Sequence, residues 1–386
     1  MQKIKIFIIA GEVSGDKLGA SLIKSLKSQY KGEIIFQAVG GDKMAKEGVN
    51  SIFPMNQISL MGFVEVLSHA FRVLNLIEQT VKAINKFKPD VVITIDSPGF
   101  GTRVAKQIDH SHTKLVHYVA PSVWAYKPKR AAYLKRYYDL VLALLPFEPP
   151  YFTKVGLACK FIGHPIVEDD WVKSDPEIFR KKYKISSSAL VFGVMCGSRV
   201  NEVNMMLPIF AKTIDLFNKQ FKDKETVWVF PTISKELAEQ IKNTMNKFNI
   251  NFVVPINEPA KTNMLKAMNF AIVKSGTISL EMAFANVPMI VAYKVNKLTA
   301  WILKYIYKIN TYVSIVNILA KKEIIPEFLQ ENCTAKNLSG ALATLTIGDG
   351  KKQIMESRKI LSQLEPKDKI KPSDKAAKLI LELIKC

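Results

Sequence analysis

Residues 270–281, Phe-Ala-Ile-Val-Lys-Ser-Gly-Thr-Ile-Ser-Leu-Glu, join a short apolar run to a helical pattern through Ser275-Gly276-Thr277. Gly276 allows a tight turn that a residue with a Cβ would strain. Ser275 or Thr277 is expected to cap the new helix. The first N–H groups of that helix lack internal partners and form an anion site suited to a diphosphate. Glu281, one turn further in, is placed to accept hydrogen bonds from sugar hydroxyls. Together these residues make a pattern for a nucleotide-sugar diphosphate. An ordinary strand–turn–helix junction with a surface Glu accounts for the same residues.

Three further motifs follow apolar runs in the same way, and a fourth residue sits within one. Gly11-Glu12-Val13-Ser14-Gly15-Asp16 offers two glycines for close backbone approach and three polar side chains. It lacks both GxGxxG and GK[ST], which disfavours a dinucleotide or ATP site; the plainer reading is a turn capped by Ser14 or Asp16. Asp96-Ser97-Pro98-Gly99-Phe100 puts a carboxylate at the end of a buried strand. Partial desolvation there raises its pKa and makes it a better base, although capping the next helix is the commoner fate of such an Asp. Gly197-Ser198-Arg199 offers a guanidinium that would neutralise a leaving diphosphate, or form a structural salt bridge. Asn317 sits in the apolar context Ser-Ile-Val-Asn-Ile-Leu, where its amide needs a backbone or ligand partner.

These motifs must be positioned by strands. Lys5–Ala10, Ile34–Val39, Val91–Ile95, Lys114–Val119 and Leu140–Leu144 are expected strands in the first half. Val191–Met195, Thr226–Phe230, Phe252–Val254, Phe270–Val273 and Met289–Ala292 are expected in the second. Helical stretches alternate with them, which predicts α/β architecture with parallel sheets in two Rossmann-like domains. A length of 386 residues also fits two domains. The join is expected between Gly163-His164-Pro165 and Asp175-Pro176. Ligands bind beyond the carboxyl ends of such strands, so the motifs are expected to line a cleft between the domains. The tail from Lys351 reads as helical, with breaks at Pro366 and Pro372.

Composition narrows the partners. Four scattered cysteines without metal spacing fit a reducing compartment and no zinc or disulfide framework. The amino-terminal apolar stretch is too short for a signal peptide or a membrane span. A net charge of +21 favours polyanions, meaning nucleic acid or an anionic membrane face. The basic residues are 48 Lys to 7 Arg, which leans towards diffuse attraction and away from base reading. On a helix over Met61–Ile77, the residues Phe63, Val66, Leu67, Ala70, Val73 and Leu74, with Val64, Phe71 and Ile77, cover about half the circumference. That is wide enough to bury acyl chains or dip into a membrane interface, or to be a fully buried helix. Trp124–Arg136 forms an aromatic–basic cluster suited to a lipid headgroup phosphate or to single-stranded nucleic acid.

Gly11–Asp16, Val39–Gly41, Asp96–Phe100, Pro121–Ala125, Gly163–Pro165, Gly197–Arg199, Ser275–Glu281 and Asn317–Ala320, in this order and spacing, resemble the lipid-A-disaccharide synthases. These are inverting glycosyltransferases of lipid A biosynthesis in Gram-negative bacteria. The resemblance runs from about residue 4 to about residue 335. It implies a glycosyltransferase-B fold, with an acceptor- and lipid-binding domain over 1–168 and a UDP-donor domain over 169–345. A C-terminal helical segment, 346–386, would pack back on the first domain or be exchanged within a homodimer.

The implied reaction joins UDP-2,3-diacylglucosamine to 2,3-diacylglucosamine 1-phosphate, giving a β-1,6 disaccharide phosphate and UDP. The resemblance implies no metal or other cofactor, no nucleic acid, and a cytoplasmic protein held peripherally on the inner membrane. It makes Asp96, Arg199 and Asn317 essential; the mechanism expected on that footing has Asp96, helped by Glu12, take the proton from the acceptor hydroxyl. Gly197, Ser198, Arg199, Ser275, Gly276, Thr277 and Glu281 fall on the UDP site, and Gly11, Glu12, Ser14, Gly15 and Asp16 on the acceptor loop. Two rivals carry different consequences. A UDP-sugar 2-epimerase shares the architecture but has no use for a broad apolar helix. A basic nucleic-acid-binding protein leaves the strand-end motifs without a purpose.

Overall fold

The computed structural model describes residues 3–59, 66–125, 129–295 and 312–385, without the side chains of 59 and 66–70. It divides into two compact units, Met1–Glu168 with Leu364–Cys386, and Asp169–Gln363.

The first unit holds β1 (Lys3–Ala10), β2 (Glu33–Val39), β3 (Val91–Ile95), β4 (Lys114–Tyr118), β5 (Leu140–Ala143) and β6 (Ala158–Phe161). Their spatial order is β2-β1-β3-β4-β5-β6 and every pairing is parallel. Ile6, Phe7, Ile8, Val91, Val92 and Ile93 are all fully buried, as expected of strands covered on both faces. The chain runs from β1 outward to β2, then returns to build β3 on the other side of β1. The reversal between β1 and β3 parts the two following loops, and ligands favour that crevice in open α/β sheets.

The second unit repeats the plan with β7 (Leu190–Met195), β8 (Thr226–Val229), β9 (Phe252–Val253), β10 (Phe270–Lys274), β11 (Met289–Tyr293) and β12 (Glu327–Leu329). Their order is β12-β11-β10-β7-β8-β9, again all parallel. Here the reversal falls between β7 and β10. An aromatic stack fills the sheet's face, with Phe192 4.5 Å from Trp228 and 5.4 Å from Phe270 between ring centres.

Two strands, β6 and β12, lie outside the sequence expectation. Both are short edge strands of three or four residues with half-exposed positions, so they lack the long apolar run of an inner strand. The tail also differs from one continuous segment over 346–386. The helix Gly350–Leu361 belongs to the second unit, and only Leu364–Cys386 belongs to the first. There the helix Pro372–Lys385 buries Ala376, Ala377 and Ile380 beside Leu22, Ile23 and Leu26 of the helix Val13–Gln29. Glu168 fastens its start, accepting from Ser373 N at 2.6 Å and Ser373 Oγ at 2.8 Å.

Candidate functional site

The reversal point of the second sheet carries a cavity of about 460 Å³. Gly197–Arg199 after β7 and Ser275–Thr277 after β10 both line it, joined by Lys261 and Lys274. Gly276 has φ +155° and starts the helix Thr277–Phe284. A Cβ there would meet nothing within 4 Å, so backbone angle rather than crowding calls for glycine. Gly197 has φ +120°, and a Cβ would collide with Glu202. Neither Ser275 nor Thr277 caps the helix, contrary to expectation. The Ser275 hydroxyl instead donates to Val313 O at 3.4 Å. The leading N–H groups are thus left facing the turn without a side-chain cap, the arrangement that receives an anion.

Charge concentrates at this end of the sheet. Arg199 is well exposed, with Nη1 3.4 Å from Glu202 Oε1. Lys274 Nζ lies 2.9 Å from the same oxygen, and Ser198 N donates to the other at 3.0 Å. Burial works to raise the Glu202 carboxyl, but Lys274, the Ser198 N–H and Arg199 together hold it below the usual range. Lys261 Nζ pairs with Glu281 at 2.7 Å, so the carboxylate expected to meet a sugar is already engaged by a cation lining the cavity. Lys261, Lys274 and Glu202 escape sequence reading because a single Lys or Glu beside a strand or on a helix carries no distinctive pattern.

Asn317 is fully buried and its amide is saturated within the protein. Nδ2 donates to Ile325 O at 2.7 Å and to Glu327 Oε1 at 2.8 Å; Oδ1 accepts from Ile324 N at 2.8 Å and Ile325 N at 2.9 Å. All four hydrogen-bonding positions of the amide are used. Of the two partners expected for this amide, backbone or ligand, the structure supplies backbone, together with the Glu327 carboxylate.

In the first unit, Asp96 follows β3 at φ +50° and Ser97 at φ +39°. Two successive non-glycine residues in the left-handed region store strain of the kind found at functional sites. Asp96 does not cap the following helix Pro98–Ala105, whose N-cap is Ser97. Burial raises the Asp96 carboxyl above its ordinary value, with a hydrogen bond from the Ser97 backbone pulling the other way. Gly11 is packed so closely that a Cβ would lie 2.8 Å from Ser97 Oγ, so the loops after β1 and β3 touch. Glu12 and Ser14 are exposed there, and Glu12 is the N-cap of the helix Val13–Gln29 without a side-chain capping bond.

Asp16 departs from the expectation of a ligand contact. It is 3% exposed and accepts from Gly41 N, Lys43 N and Met44 N at 2.8, 2.9 and 3.1 Å. It therefore pins the Gly40-Gly41 turn. Gly15 packs beneath against Ile95.

Beside β3, buried His117 shares a 2.7 Å contact between Nδ1 and Thr94 Oγ1. Burial drives its pKa down to about 3, so the ring is neutral. The Trp124 indole donates to buried Glu148 at 3.3 Å, and burial pushes that carboxyl up to about 7. A raised carboxyl favours the folded state when protonated, so its contribution is whole at acid pH and is lost as pH rises through about 7. Trp124 fluorescence is expected to titrate near that value, and Glu148→Gln is expected to flatten the curve. An unchanged titration in the variant would contradict this assignment.

The expected apolar helix is present as Val66–Phe87. Phe63 lies outside the described residues, as do Val64 and the side chains of Val66, Leu67 and Ala70. Val73, Leu76 and Ile77 enter the core, whereas Phe71 is 86% and Leu74 56% exposed. The apolar face thus exceeds what the core covers. Among the described residues no helix is long and apolar enough to cross a membrane. Residues 126–128 of the aromatic–basic cluster also lie outside the described residues.

The family model described as lipid-A-disaccharide synthetase matches residues 6–380. A lipid-A-disaccharide synthase from Rickettsia bellii is 43% identical over 381 residues, covering 97% of this chain and 98% of the relative. Among solved structures, a complex of S. aureus MnaA with UDP superposes with TM-score 0.64 at 16% identity, covering 99% of this chain and 96% of that one. A glycosyltransferase from Rickettsia africae gives TM-score 0.59 at 15% identity, covering 100% and 98%. These structural likenesses identify the fold as glycosyltransferase-B type.

Proposed function

The chain belongs to the lipid-A-disaccharide synthetase family, a family of glycosyltransferases, and on that premise we propose that it transfers 2,3-diacylglucosamine from UDP to the 6-hydroxyl of 2,3-diacylglucosamine 1-phosphate with inversion. The observation that carries the donor half is that Gly197–Arg199 and Ser275–Thr277, far apart in sequence, line one cavity. UDP leaves with negative charge. The N–H groups after Gly276 and the guanidinium of Arg199 stabilise that charge, and Lys274 adds a second cation.

Asp96 takes the proton from the acceptor hydroxyl, with Glu12 in the neighbouring loop. The oxygen attacks the anomeric carbon from the face opposite UDP, which makes the displacement inverting. A base works ionised, so turnover falls as pH drops through the raised Asp96 value. A rate–pH profile is expected to place its acid limb above the ordinary aspartate value; a limb at the ordinary value would count against Asp96.

The acyl chains meet the exposed face of the helix Val66–Phe87. Replacing Phe71 and Leu74 with Ser is expected to raise KM for the lipid substrates while leaving UDP affinity unchanged. Equal loss of both would remove this face from the lipid site. The same face and the surplus of lysines suit an anionic inner-membrane surface. A homodimer exchanging Leu364–Cys386 would re-form between chains the contacts that this segment makes with the helix Val13–Gln29.

A further inference from the structure

Asn317 is fully buried with every hydrogen-bonding position of its amide used, and one of its partners leads back to the donor turn. Its one side-chain partner is Glu327, the first residue of β12, whose backbone is set by register with Val291 of β11. Glu327 Oε1 accepts from Asn317 Nδ2 at 2.8 Å and from Ser314 N at 2.8 Å, and Oε2 accepts from Val313 N at 2.9 Å. The Ser314 N–H and the Val313 carbonyl belong to one planar trans peptide, so they point in opposite directions. Holding the N–H against Glu327 therefore aims the carbonyl away from Glu327. That carbonyl receives the Ser275 hydroxyl at 3.4 Å.

We infer that Glu327, held by Asn317, is a positioning residue for the donor turn, fixing the Val313–Ser314 peptide so that its carbonyl orients Ser275. The inference rests on the reading of Ser275–Thr277 as the diphosphate cradle. Asn317 acts through three intermediates: Glu327, the Val313–Ser314 peptide and Ser275. Its Oδ1 gathers the Ile324 and Ile325 N–H groups of the return loop, while its Nδ2 steadies the carboxylate. Burial and the two backbone donors make Glu327 a poor site for substitution, because Gln offers one oxygen where the carboxylate offers two.

The test is UDP affinity by titration calorimetry across a double-mutant cycle of Glu327→Gln and Ser275→Ala. Each single variant is expected to weaken UDP binding about tenfold, the scale of one lost hydrogen bond. The double variant is expected to match Ser275→Ala within about twofold, because both act through one contact. Independent, multiplying losses would overturn the inference, as would native UDP affinity in folded Glu327→Gln. If that variant does not fold, Glu327→Asp, which keeps both oxygens on a shorter stem, takes its place in the cycle under the same criteria. Arg199→Ala separates the premise from the inference. If UDP binding ignores both Arg199→Ala and Ser275→Ala, the donor-site reading fails. If it responds to them but not to Glu327, only the brace fails.

Discussion

Asp96→Asn is expected to lower turnover by about 10²–10⁴-fold while leaving the fold intact, the range a general base supplies. The substitution isolates chemistry from structure for a specific reason. Asp96 occupies φ +50°, a region that Asn tolerates as well as Asp. The side chain is isosteric, and its amide oxygen can still accept the bond from the Ser97 backbone. What is lost is the ability to take a proton. Asp96→Ala would confuse the two effects, because a residue without local side-chain bonding meets more strain there. Near-normal turnover in a folded Asp96→Asn protein would show the base to lie elsewhere, with Glu12 the first alternative.

Arg199→Ala is expected to cost about 10²–10³-fold in turnover, the scale of removing one donor aimed at developing negative charge. Stability should barely move. The side chain is 73% exposed and its contact with Glu202 is 3.4 Å long, a surface pair whose worth is about 0–1 kcal/mol. Arg199→Lys is expected to recover only part of the loss, since an ammonium lacks the planar fork that grips two phosphate oxygens. Kinetic analysis with thermal melts checks both points. A large fall in melting temperature with a proportionate loss of activity would recast Arg199 as structural.

Much of this was legible in the sequence because inner parallel strands are short apolar runs, and their carboxyl ends collect the polar motifs. β3 and the placing of Asp96 after it follow from Val-Val-Ile-Thr-Ile alone. The reading weakened where the physics is non-local. β12 has three residues and pairs on one side only, so nothing near Glu327 announces a strand. Without that strand, Asn317 has no visible partner and its apolar setting suggests a ligand as readily as a brace. Asp16 is a similar case: its three backbone partners lie 25 to 28 residues away, beyond any local pattern. The expected cap at Ser275 failed for a related reason, because Ser275 is drawn to a carbonyl 38 residues away.

The most direct test of the whole account is to mix the protein with UDP-2,3-diacylglucosamine and 2,3-diacylglucosamine 1-phosphate, with EDTA present, and to measure products by mass spectrometry and proton NMR. The account predicts disaccharide 1-phosphate and UDP in equal amounts, with a β linkage at the new bond. Absence of the disaccharide, or conversion of the UDP-sugar to its 2-epimer without release of UDP, would contradict it.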